Sequence, residues 1–294
     1  MFKYLSFKCT KILVIMIKLK YNRYTWFEVM LLVNIIEIKN KLGNGCTIPF
    51  VVWCDDGKTY IVKFPGNDQG VKALVNEFIA SNLCEYLELP IFNYSLINVK
   101  MNDYNNETQD EILPIEGTAF GTEYNDNALV VLNSGMIYKS INKSDAIKIL
   151  IFDLLVGNFD RNKGNLMIDS ISKKIFMIDH THIFGLGTIW DEYQLPRLIN
   201  EEFKIESLHK FNYNNIMESI TKDSSFYIEL NKFITKVKNI NKGFIYDIMN
   251  KIPNDWNITQ KEKNLLVDYI YIRFNRVNEI LDLLNIKGGD NSEI

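Results

Sequence analysis

Residues 157–184, GNFDRNKGNLMIDSISKKIFMIDHTHIF, constrain this chain more than any other stretch. Two short apolar runs, 166–168 and 175–178, flank a polar segment at 169–174. Runs of this length, bounded by turn formers, are too short for helices and predict a β-hairpin. In an antiparallel pair the residue entering the first strand lies beside the residue leaving the second. Asn165 and Asp179, fourteen residues apart, are thereby expected at one open end. Asp160 stands five residues before Asn165, in the loop that leads in. Two carboxylates and a carboxamide converging at one end suit a hard divalent cation, which prefers oxygen ligands.

The residues on either side support that corner. Ser144 and Asp145 make a helix start and Gly157 a matching stop, and residues 146–156 are apolar on nearly every side. Such a helix is buried in the middle of a lobe and presents the loop at Asp160 from a rigid platform. From about residue 195 onward the chain reads as helices. The clearest spans 259–284, where Leu265, Leu266, Tyr269, Ile270, Ile272, Phe274, Val277, Ile280 and Leu281 recur at core-facing intervals.

Upstream, residues 31–38, 47–54 and 59–64 read as strands, with a strong hairpin signal at Asp55-Asp56-Gly57-Lys58. Gly43, Asn44 and Gly45 form a glycine loop at one end of the first hairpin. On the third strand Tyr60, Val62 and Phe64 take one face, and Thr59, Ile61 and Lys63 the other. Lys63 is placed either to meet a phosphate or to lie along the surface with its amine in water. Residues 70–87 predict a helix with Leu74, Phe78, Leu83 and Leu87 on its apolar stripe. Glu77 borders that stripe, where it either pairs with a cation such as Lys63 or turns to solvent. Residues 92–100 read as a further strand, 101–110 as an exposed loop, and 116–126 carry no clear assignment. The implied organisation is an extension at 1–30, a sheet with one helix at 31–125, a helical region at 126–286 and a frayed tail at 287–294.

Composition sets bounds on function. With 47% hydrophobic and 23% charged residues the chain has ample material for a core. The net charge of −3 makes no electrostatic case for nucleic acid, and no basic recognition helix is evident, so direct nucleic-acid binding is not expected. Residues 3–23 carry six basic residues and no acid around the apolar run 12–17. That run falls well short of the roughly 20 residues that span a bilayer, so the expectation is a dispensable extension, with peripheral membrane contact as the rival. Cys9, Cys46, Cys54 and Cys84 show no paired spacing, which fits a reduced, cytoplasmic setting. His180 and His182 share a face if their segment is a strand, but no third zinc ligand accompanies them. Asp153, Asp169 and Asp191 read as a solvated or capping set, and Arg161 either balances nearby carboxylates or meets a substrate phosphate.

Glycine loop, strand lysine, helix glutamate, then Asp, Asn and Asp around a hairpin is the order of parts used in kinase-type phosphoryl transfer. Backbone N–H groups of a glycine loop approach phosphate oxygens because no side chain intervenes. Lys63 would neutralise phosphate charge, positioned by Glu77. Asn165 and Asp179 would hold Mg²⁺, and Asp160 would orient and deprotonate an incoming hydroxyl. The glycine loop, Lys63 and Glu77 are each weak signals alone, Asp160, Asn165 and Asp179 about a hairpin are a stronger one, and the order of all six carries the inference.

These segments also resemble the HipA-like kinases. The resemblance lies in LGNGCTIPFVV, DDGKTYIVKFPGN, NEFIASNLCEYLELP, GNFDRNKGNLMI and FMIDHTHIF, and extends from residue 32 to residue 284. It implies an α+β, two-lobed protein-kinase-like fold with an antiparallel sheet N-lobe and a mainly helical C-lobe. It further implies ATP and Mg²⁺ as cofactors and transfer to serine or threonine hydroxyls of a protein substrate. Asn158-Phe159 stands where ordinary protein kinases carry His-Arg, and His180 replaces the phenylalanine that follows their metal-binding aspartate. Two other activities stay open: a nucleotide-binding regulator acting through its helical part, and a kinase for a small molecule or lipid headgroup.

Overall fold

A computed structural model describes residues 6–9, 12–18, 24–30, 32–42, 48–100, 115–205 and 224–286. The glycine loop at Gly43, Asn44 and Gly45, the polar loop 101–110 and the tail 287–294 lie outside the described residues. The chain divides into two compact units, residues 1–65 with 93–124, and residues 66–92 with 125–294. Helix and strand are both well represented, so the fold is mixed α and β.

The first unit opens with strands β1 (Ser6–Cys9), β2 (Ile12–Lys18) and β3 (Tyr24–Met30), an antiparallel meander over the stretch that the sequence marks as an extension. Five further strands close into a barrel: β4 (Val33–Lys41), β5 (Phe50–Cys54), β6 (Thr59–Lys63), β7 (Tyr94–Val99) and β8 (Gly117–Glu123). β4, β5, β6, β8 and β7 run antiparallel to their neighbours in that order, and β7 returns parallel to β4. That parallel pair departs from the purely antiparallel sheet expected, and closure removes the exposed edge that such a sheet would carry. The strand β8, unassigned from sequence, holds Gly121 where any β-carbon would stand 2.9 Å from Ile97 Cγ1. Its aromatic and acidic residues hid a position that needs glycine for close approach.

The alternation read from β6 is present. Val62 is fully buried, Tyr60 nearly so, and both join Val52, Cys54, Ile97 and Ala119 in the barrel core. The turn between β5 and β6 places Gly57 at φ 79°, and Tyr60 donates from Oη to Asp56 Oδ2 at 2.6 Å. Burial, then that hydrogen bond, pushes the Tyr60 pKa well above the ordinary phenol value. Lys63 ends β6, half-buried on the opposite face with Thr59 and Ile61.

The second unit is built on α1 (Val71–Leu87) and α3 (Asp145–Val156), with the short α2 (Ser134–Tyr138) between them in sequence. It continues through α4 (Leu195–Leu198), α5 (Ser224–Asn239), α6 (Lys242–Asn250), α7 (Gln260–Asn275) and α8 (Val277–Leu283). Thus α1, which sequence order placed with the sheet, groups with the helices, contacting α5 and α6 and setting Phe78 edge-on to Trp256 at 6.0 Å. Ten of the twelve residues of α3 are buried, as its all-round apolarity requires. The helix expected over 259–284 is two helices. A capping box between Thr259 and Glu262 starts α7, and the backbone leaves helical geometry at Arg276. There the guanidinium binds the carbonyls of Ile199 and Glu201 and the Glu279 carboxylate, contacts that apolar spacing does not report.

Candidate active site

The hairpin forms as its pattern indicates. β10 (Leu166–Asp169) pairs antiparallel with β11 (Ile175–Met177), with Leu166 opposite Met177, and β9 (Ala128–Val130) adds a third strand unseen in the sequence. Ile178 N donates to Asn165 O at 3.1 Å, extending the ladder by one step. Asn165 and Asp179 therefore leave the same open end. The turn opposite is held by Asp169, whose Oδ1 accepts from the backbone N–H of Ile171 at 3.0 Å and of Ser172 at 2.5 Å. The Ser172 backbone bond, with Asn125 at 2.7 Å behind it, draws the Asp169 pKa down to about 2.

Gly157 ends α3 in the left-handed region at φ 67°, where glycine carries no steric cost. A β-carbon there would stand 2.5 Å from Tyr269 Oη and 2.9 Å from Gly185 N, so glycine is required twice over. The loop that follows is stapled from within. Asn158 Nδ2 donates to Asp153 Oδ1 at 2.9 Å, Asp160 N donates to Asn158 Oδ1 at 3.1 Å, and Asn162 Nδ2 reaches Asp160 Oδ1 at 3.2 Å. Asn165, closing a 3₁₀ turn at Lys163–Asn165, donates from Nδ2 to the Asp160 carbonyl at 2.7 Å. With its nitrogen so engaged, its oxygen is the atom available to a cation.

Arg161 organises this corner, and of its two alternatives it takes the balancing of a carboxylate. It is fully buried, as is Asp153, and their bidentate pair runs Nε to Oδ2 at 3.0 Å and Nη2 to Oδ1 at 3.2 Å. Its Nη1 donates to Asn165 O at 2.8 Å and to Ile178 O at 2.5 Å, one bond to each side of the hairpin mouth. Asp153 is therefore not a solvated carboxylate but a buried anchor. The available signal was its place in an otherwise apolar helix, eight residues ahead of an arginine. Asp169 and Asp191 do cap, the latter accepting from the N–H groups of Tyr193 and Gln194 at 2.8 Å.

Asp179 sits in the left-handed region at φ 57°, and its Oδ1 accepts from Thr181 N at 3.3 Å. Glu77 is buried, which removes the solvent-facing alternative. Its Oε1 accepts from His180 N at 3.0 Å and from Thr181 Oγ1 at 3.2 Å, and its Oε2 lies 3.4 Å from His180 Nδ1. The segment after Asp179 is a turn rather than a strand, so the two histidines part. His180 stands edge-on to Phe152 with Nε2 buried and unpartnered, and His182 lies against Phe159. Among the described residues no three histidine, cysteine or carboxylate groups cluster as zinc ligands. The donor types at the hairpin mouth, the Asp179 carboxylate and the Asn165 amide oxygen, fit Mg²⁺, a hard cation that takes one or two carboxylates and completes its shell with water and phosphate oxygens.

A cleft of about 360 Å³ adjoins the loop, lined by Phe159, Gly185, Glu201, Phe203, Tyr269 and Arg273. Arg273 is buried beneath it and donates to the α3 carbonyls of Leu155 at 2.9 Å and Leu154 at 2.8 Å. Burial holds its pKa below the ordinary guanidinium value, while Phe203 and Tyr269 face the cation at 4.5 and 5.2 Å. The negative end of the helix dipole makes the C-terminus of α3 a favourable place for that charge.

Of the residues singled out from sequence, Asp160, Asn165, Asp179 and Glu77 belong to the second unit and are linked through this network. Lys63 belongs to the barrel unit, and the glycine loop is outside the described residues.

The solved structure of a Helicobacter pylori proinflammatory kinase, CtkA, has the same fold. It aligns with a TM-score of 0.52 at 14% identity, over 85% of this chain and 99% of that one. Shewanella oneidensis HipA, solved in complex with HipB and operator DNA, aligns at 0.45 and 14% identity, over 84% and 68%. No curated protein matches the chain. The HipA-like kinase profile matches residues 35–286, and the chain belongs to that family.

Proposed function

We infer that this protein is a HipA-like kinase that transfers the γ-phosphoryl group of ATP to a hydroxyl, with serine or threonine of a protein as the acceptor. One observation carries the reading: Arg161, itself locked to Asp153, bonds the carbonyls of both Asn165 and Ile178, so a single buried cation sets the two sides of the hairpin mouth. Asn165 and Asp179 would hold Mg²⁺ there through oxygen. When bound, Mg²⁺ would neutralise the charge of the phosphates. Asp160, held by Asn162 and Asn165 while half-exposed, orients the acceptor hydroxyl and takes its proton as the new P–O bond forms and ADP leaves. Lys63 and the Gly43–Gly45 loop are assigned to the phosphates on their place in the sequence order. The two-lobed arrangement of ordinary kinases is part of the same reading, as is a reduced, cytoplasmic setting.

The test uses the purified full chain with labelled ATP and Mg²⁺, scored for autophosphorylation and for phosphosites in a cell lysate. Transfer is expected, and Asp160→Asn should reduce it by about 10²-fold or more, the scale of general-base catalysis, while leaving Mg-ATP binding intact. Tight Mg-ATP binding with no transfer would identify a nucleotide-binding regulator instead. Transfer unchanged in Asp160→Asn would remove that residue from the chemistry.

A further inference from the structure

Asn76 is a neutral side chain with no part in the transfer reaction, yet it is fully buried in α1 and bonded three times. Its Nδ2 donates to Thr181 O at 2.7 Å and to Gly187 O at 2.9 Å, and its Oδ1 accepts from Trp190 Nε1 at 2.9 Å. Both donors of the amide are used, on carbonyls six residues apart, and the acceptor reaches three residues further. Next to it Glu77 binds His180 N and Thr181 Oγ1. One turn earlier Lys72 donates to Trp190 O at 2.5 Å and lies 4.1 Å from the indole centroid. One face of α1 thus grips the segment that follows Asp179 at its beginning, middle and end.

The opposite side of the segment is gripped as well. Phe184 N donates to Val156 O at 2.7 Å and Gly185 N to Gly157 O at 2.9 Å, which joins it to the root of the loop bearing Asp160. Asp179, Phe184, Gly185 and Gly187 all have positive φ, so the path is a series of left-handed turns that local preference alone does not select. Long-range bonds must hold it, and Asn76 supplies the two that join Thr181 to Gly187.

We propose that Asn76 is a positioning residue for divalent-cation binding: by fixing Thr181, two residues after Asp179, it sets the Asp179 carboxylate for the metal. This rests on the reading of Asp179 as a metal ligand. Asn76→Asp is the sharpest probe, since it keeps the acceptor for Trp190 and replaces both donors with an oxygen facing two carbonyls. Trp190→Phe removes the indole donor to Oδ1, along with ring area that Lys72 covers, leaves both Nδ2 donors in place, and covers the case in which Asn76→Asp does not fold. Folding is followed independently in both variants through the indole N–H resonance of Trp256, buried against Phe78, in ¹⁵N-tryptophan-labelled protein.

The measurement is the Mg²⁺ concentration for half-maximal autophosphorylation at saturating ATP, with Mn²⁺ affinity by calorimetry beside it. Loss of folded protein lowers the plateau and leaves the midpoint in place. Loss of positioning moves the midpoint. Asn76→Asp is expected to raise it roughly tenfold or more, and Trp190→Phe by about threefold, from the worth of two and one neutral hydrogen bonds. Folded variants with wild-type midpoints and wild-type Mn²⁺ affinity would overturn the proposal. Asp179→Ala separates the two levels: if it abolishes the metal response while the Asn76 and Trp190 variants keep it, only the positioning role fails. If Asp179→Ala also keeps the response, the metal assignment and the proposal fall together.

Discussion

Asp153 and Arg161 illustrate how a buried charge pair earns its place through what else it touches. Removing one partner strands the other in the core, so Asp153→Ala is expected to cost about 3–5 kcal/mol in urea unfolding. Replacing both, as Asp153→Leu with Arg161→Met, should recover much of that loss, because apolar substitutes of similar volume avoid the desolvation cost. Phosphoryl transfer should not recover with it. The double variant lacks the Nη1 bonds to Asn165 O and Ile178 O, which join the pair to the hairpin mouth. A double variant that is both stable and fully active would show the arginine to be structural alone. At Asp179 itself, Asp179→Ala should weaken Mg-ATP binding about tenfold or more by calorimetry, and Asn165→Ala likewise, through loss of an oxygen ligand.

Among the elements, the β10–β11 hairpin and the end of α3 carry separate consequences. Asp169 has a folded pKa of about 2, below its ordinary value, because backbone N–H groups of the turn favour the charged form. Its stabilisation is fully present above about pH 4, the unfolded carboxylate range, and is lost as pH falls through 2. Asp169→Asn should therefore flatten the pH dependence of Tm below pH 4, and an unchanged acid limb would argue against the hairpin assignment. At the end of α3, Gly157→Ala meets a left-handed backbone cost of about 1–2 kcal/mol and a β-carbon 2.5 Å from Tyr269 Oη. A fall in Tm of about 5 °C or more is expected from differential scanning calorimetry. The turn residues and the stop at Gly157 were readable from spacing, since a left-handed helix end announces itself as glycine. The strands β8 and β9 were not, because β8 mixes glycine with polar residues and β9 is three residues long.

For the molecule as a whole, the decisive fact is that the helical unit is assembled from two separated pieces of chain. Residues 66–92 contribute α1, with twelve of its seventeen residues buried, and residues 125–294 contribute the rest. A fragment beginning at residue 125 lacks Asn76, Glu77 and the partner of Trp256, and is expected to bind a hydrophobic dye and melt without cooperativity. Supplying residues 66–92 on a flexible linker should restore a cooperative transition. Cooperative melting of the short fragment would show that α1 is an addition to a unit stable without it. No helix among the described residues is long and apolar enough to cross a membrane.

The sequence by itself determined the local elements and the order of the chemical groups. Period-two alternation on β6, all-round apolarity on α3, and two short runs about a polar turn are properties of neighbouring residues, and neighbours are what a sequence displays. It also marked Asp160, Asn165, Asp179 and Glu77 as a set, from their order and the residue types a hard cation and a phosphate require. Tertiary structure alone decided the long-range pairings within each unit. The Asp153–Arg161 pair, the grip of Asn76 on Thr181 and Gly187, and the return of β7 beside β4 join residues between eight and 111 positions apart. A carboxylate or carboxamide reads alike in water or in a core until packing withdraws the solvent. Only then must each polar atom find a partner, and that requirement turned Asp153 and Asn76 into supports of the hairpin mouth.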